Sequence, residues 1–151
     1  MAHRYSHSVD ANALAAATAE TIIEIAVPAT RRIKIVGWWA EFDGVSATGV
    51  PVKVEVGRFT VGITTGTTRT PVKLDPADPA SLMTTVKDTV TAEGAGTPEA
   101  GIETHRIHPQ GGLQIWYPPG EEPVQAVSTF WRLRCTAAAI VNVTAGVIWE
   151  E

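Results

Sequence analysis

A chain of 151 residues, 44% of them hydrophobic, is long enough for one domain with its own core and needs neither a metal nor a disulfide to fold. A formal net charge of −4, with few and scattered Lys and Arg, argues against a nucleic-acid partner, which calls for a basic face. One cysteine excludes an intrachain disulfide, and no apolar run approaches the roughly 20 residues of a spanning helix, so no membrane partner is expected.

Residues 1–18 differ from the rest. "MAHRYSHSVD" is polar and lacks the apolar middle of a secretion signal, which points to a chain kept in a cytoplasm or built into a particle there. "ANALAAATA" follows with no strand-type alternation. The expectation is an extended N-terminal arm that orders against a neighbour, with a short helix capped by Asp10 as the alternative.

From Glu20 onward the period becomes two. "TIIEIAVP" places Ile23, Ile25 and Val27 on one face and stops at Pro28. "RRIKIVGWWAEF" places Ile33 and Ile35 on one face. Gly37 interrupts it, and the bulky residues become Trp38, Ala40 and Phe42, the mark of a β-bulge. "VPVKVEVGRF" alternates Val50, Val52, Val54 and Val56 with charged residues, a half-buried strand. The middle is rich in Thr, Gly and Pro. Two Asp-Pro steps in "LDPADPAS" favour turns, and "SLMTTVKDTV" reads as a strand. "IETHRI" and "GLQIWY" are strands flanking "HPQGG". In "VQAVSTFWRLRCTA" the residues Trp131, Leu133 and Cys135 share a face, with Cys135 as a small core residue. In "IVNVTAGVIWEE" the inward set is Val141, Val143, Ala145, Val147 and Trp149. The sum is an all-β chain: a β-sandwich of jelly-roll type over residues 19–151, with about eight strands and crossing connections.

Reactive constellations are not evident. His105 and His108 are three apart, and in a strand such residues point to opposite faces, so no shared metal is expected. Gln110-Gly111-Gly112 precedes no helix that would make a phosphate loop, and the glycines suit a tight turn. Glu121 and Glu122 read as a solvated pair. No Gly-x-Ser-x-Gly elbow exists. No cofactor and no enzymatic activity are expected. Of the five tryptophans, Trp131 and Trp149 read as core. Trp38 and Trp39, as strand neighbours, face opposite sides, so one fills the core and the other marks an interface.

The stretches "TAETIIEIAVPATRRIKIVGWWAEFDG", "PVKLDPADPAS", "HPQGGLQIWYPPGEEPVQA" and "LRCTAAAIVNVTAGVIWEE" resemble the head-decoration, or capsid-cementing, proteins of tailed bacteriophages. The resemblance runs from about Ala19 to Glu151 and rests on the order of strand and turn segments. It implies a jelly-roll body, often a homotrimer, on the outer capsid surface of the virion where subunits of the major capsid protein meet, with an N-terminal arm reaching a neighbour. On that reading the contact residues are His3, Arg4, Tyr5 and His7 of the arm, with Arg31, Arg32 and Trp38 of the body. The low charged fraction, 19%, fits a surface partly covered by protein. The alternatives are a tail or fibre module that binds a receptor or glycan, and a cupin-type metalloprotein.

Overall fold

The computed structural model describes residues 2–44, 49–90, 93 and 98–151. Regular structure among them is entirely β. The strands are β1 (Arg4–Leu14), β2 (Ala19–Ala26), β3 (Ile33–Phe42), β4 (Val52–Phe59), β5 (Thr67–Arg69), β6 (Val72–Lys73), β7 (Thr85–Asp88), β8 (Pro98–Ile107), β9 (Gly112–Trp116), β10 (Val124–Gln125), β11 (Phe130–Thr136) and β12 (Val141–Glu150). Two antiparallel sheets pack face to face as a sandwich. The first runs β10-β3-β12-β1-β6, with β9 also on β3. The second runs β5-β7-β2-β11-β4-β8.

Side-chain alternation sets which face each strand buries. β12 is inner in its sheet and buries Val141, Val143, Ala145, Val147 and Trp149. β4 buries Val52, Val54 and Val56, whereas Val50, expected on the same face, precedes the strand and is exposed. β11 contributes Trp131, Leu133 and Cys135. Each buried branched aliphatic stabilises the fold by about 1.5–3 kcal/mol relative to exposure.

The bulge expected at Gly37 is present. Ile148 pairs with Gly37 but Trp149 pairs with Ile35, so Val36 is the extra residue. The slip returns Trp38, Ala40 and Phe42 to the face already used by Ile33 and Ile35, and all five are buried. Trp38, placed among the contact residues, is therefore core. Trp39 is the outward member of the pair and is half-buried.

The N-terminal arm is the larger correction. Residues 4–14 form β1, paired with β12 from Arg4↔Glu150 to Leu14↔Val141, with a register shift between Val9 and Asn12. Ala11 sits there at φ 48°, in the left-handed region. Tyr5, His7 and Val9 face inward before the shift, and Leu14 is buried after it. A histidine at an inward position and a mid-strand slip hide the period of two. Tyr5 and His7 are buried and do not offer a free contact surface.

Candidate functional site

The stretch with the two histidines folds into a polar cluster at one lateral opening of the sandwich, where β8 lies opposite β9. Glu103 and His105 alternate inward on β8, and the chain after β9 brings Tyr117 against them. Tyr117 donates its hydroxyl hydrogen to Glu103 Oε1 at 2.7 Å and accepts the indole N–H of Trp38 at 3.2 Å. His105 Nε2 lies 3.1 Å from Glu103 Oε2, and its ring stands 5.7 Å from that of Trp38. Burial and the Glu103 carboxylate together push the Tyr117 hydroxyl far above its ordinary range, so it stays a donor. His108 does not join. It leaves the strand at the turn, where its Nδ1 accepts the Gln110 N–H at 3.1 Å. No group of three His, Cys, Asp or Glu that could hold a metal occurs among the described residues.

The opposite opening carries a second cluster of the same kind. His7 of β1 reaches across the sandwich to Asp88 of β7, with Nε2 3.0 Å from Oδ2. Arg69 Nε donates to both Asp88 oxygens at 3.0 Å, and the Thr89 hydroxyl donates to Oδ1. Nearby, His3, just before β1, has its Nδ1 2.7 Å from Asp78 Oδ1, and the Tyr5 hydroxyl of β1 donates to the Pro79 carbonyl at 3.0 Å. The two Asp-Pro steps thus form a turn tied to β1, with Asp78 N–H donating to the Asp75 carbonyl. The Glu151 carboxylate accepts from Ser81, from the Leu82 N–H at 2.9 Å and from the Trp149 indole at 3.1 Å.

A third polar group lies on the outer face of the second sheet, under the segment that follows β4. Glu24 and Arg132 are both fully buried and pair at 2.7 Å. Glu24 also accepts the Ile63 N–H at 3.0 Å, and Arg132 donates to the Val61 carbonyl and lies 4.2 Å above the Phe59 ring. Burial pushes the Glu24 carboxyl up, and the Ile63 amide and Arg132 pull it back. Arg134 stands 3.2 Å from Glu55. Burial alone would raise the Glu55 carboxyl, but Lys53 at 2.7 Å and Arg134 outweigh it and hold it below its ordinary value.

The expected contact residues therefore separate into two sets. Tyr5, His7 and Trp38 belong to internal ties, and His3 is half-buried on Asp78. Arg4 is exposed and pairs with Glu150 at 3.2 Å; Arg31 and Arg32 are exposed at the turn between β2 and β3. Arg31 borders a cleft of about 240 Å³ that it shares with His3, Tyr5, Leu82 and Glu151.

Sequence reasoning placed one indole of the Trp38–Trp39 pair outward but missed that Trp116 joins it on the same face. On the first sheet, Trp116 pairs with Gly37 and Trp39 pairs with Gly146. Ring atoms of Trp116 stand 2.7 Å from where a Gly37 Cβ would be, and the Trp39 ring fills the corresponding space over Gly146. Trp116 is 52% exposed. The signal was the pair of mid-strand glycines, which mark close approach; their aromatic covers are distant in sequence.

Comparison with protein-family models, with curated proteins and with solved structures finds no match to this chain.

Proposed function

We propose that this protein is a structural virion component that decorates and stabilises a bacteriophage capsid, binding across neighbouring subunits of the major capsid protein as a homotrimer of jelly-roll type. The resemblance of the strand and turn phrases supplies the capsid. The observation that carries the reading is the use of the polar side chains: His7 holds Asp88 across the two sheets, His3 holds Asp78, and Tyr117 holds Glu103, so side-chain ties close both lateral openings of the sandwich. Groups fixed in this way brace a body against shear. A clamp between capsid subunits has that mechanical requirement, because internal pressure tries to separate what it holds.

The energetics favour repetition. A standard interface buries roughly 1,600 Å², and its net gain is well below the area arithmetic because association has its own cost. A trimer held at several points gains avidity without new contacts. Arg4, Arg31 and Arg32 are the expected contacts that remain exposed.

Capsids assembled without this protein are expected to lose resistance to heat and shear, and added protein to restore it. The double variant Arg31→Ala, Arg32→Ala is expected to restore less at equal concentration. Absence of the protein from virions, together with unchanged capsid stability, would overturn the proposal.

A further inference from the structure

The outer face of the first sheet carries two indoles that no internal role explains. Paired residues share a face, so successive rows across the sheet follow from the register. One row is Trp116, Gly37, Ile148, Ser6 and Val72; the next is Gln114, Trp39, Gly146 and Ser8. Trp39 and Trp116 are diagonal neighbours, on the order of 7–8 Å apart. Each leans towards β12 over a glycine, so each is held against backbone and offers an indole surface to solvent. The rings are in place before any ligand arrives.

Their surroundings are polar. Gln114, Glu41 and Ser8 are exposed, and among the described residues their side chains make no hydrogen bond or ion pair. Among the described residues, the remaining well-exposed apolar side chains on this face, Val72 and Val124, lie at its margins. Two rings and a half-buried Ile148 offer less apolar surface than a stable protein interface, which buries roughly 800 Å² per partner, somewhat over half of it apolar.

We infer that this face binds a polysaccharide of neutral, equatorially substituted hexoses. Such a sugar has C–H faces that stack on the electron-rich face of an indole. It also has a rim of hydroxyls that pair with free amide, carboxylate and hydroxyl groups. Gln114, Glu41 and Ser8 supply all three. The diagonal spacing is wider than one sugar ring, so a ligand engaging both indoles has at least two.

The test uses the full chain without capsids, so it stands apart from the capsid proposal. Cellohexaose and chitohexaose are titrated by calorimetry and by quenching of tryptophan fluorescence. Saturable binding of at least one is expected, weakened roughly tenfold or more by Trp116→Ala and less by Gln114→Ala. Both side chains are exposed, and unchanged thermal unfolding of the variants shows that loss of binding is local. Three results overturn the inference: neither sugar binds at millimolar concentration, binding survives both substitutions, or Trp116→Ala dissolves an oligomer of the wild type, which would mean that a second copy covers the rings.

Discussion

Arg132 shows why the polar residues of this chain resist reading from sequence. In "FWRLRC" it alternates with core residues and looks like a solvated outward position. The structure buries it completely, because Phe59 at the end of β4 places its ring under the guanidinium and the segment after β4 crosses that face, supplying the Val61 carbonyl and the Ile63 amide around the Glu24 pair. Removing one partner leaves the other buried and unpaired. Arg132→Met is expected to destabilise the fold by about 3–5 kcal/mol, and the double variant Glu24→Leu, Arg132→Met by much less. Urea unfolding of the single and double variants checks both. Glu55 is a milder case with a defined pH signature. Its folded-state carboxyl is held below the ordinary value, so its contribution is present above the ordinary carboxylate range and is lost as pH falls through the folded value. Wild type is expected to exceed Glu55→Gln by about 0.5–1 kcal/mol at neutral pH. The difference should shrink from about pH 4 downward, measured by urea unfolding at stepped pH.

At the scale of elements, legibility followed the chemistry of the inward positions. β12 and β4 were readable because their inward residues are all apolar and mostly Val, and the bulge in β3 because a glycine marks the change of phase. β1 was not, since "RYSHSVDANAL" buries a tyrosine and a histidine, changes phase at Ala11 and then runs into small residues. The same limit hid the polar clusters: Glu103 and His105 are near in sequence, but Tyr117 and Trp38 reach them only through the packing of the two sheets. The placement of β1 has a direct consequence. If residues 2–14 were an arm, their deletion would leave thermal unfolding unchanged. As β1 they cover one side of β12 and contribute Tyr5 and Leu14 to the core, so the deletion is expected to abolish the cooperative transition, followed by circular dichroism on heating.

At the scale of the whole molecule, the two lateral openings are closed by equivalent devices on different strands. His7, Asp88 and Arg69 join the β1 side of one sheet to the β7 side of the other. Glu103, His105 and Tyr117 do so between β8 and the end of β9. Asp88 is almost fully buried with three partners, so Asp88→Asn leaves the Arg69 and His7 interactions without their charge and is expected to cost about 2–4 kcal/mol. Glu103 is more exposed, and Glu103→Gln is expected to cost about 1 kcal/mol. The clusters share no residue and lie at opposite edges of the sheets, so they should act independently. The double variant is expected to equal the sum of the singles within about 0.5 kcal/mol, read from urea midpoints at constant slope. A large coupling would mean that closing one opening changes how the sheets pack at the other. A body braced independently on both sides keeps its shape when one side is loaded, which is what the proposed role between capsid subunits requires.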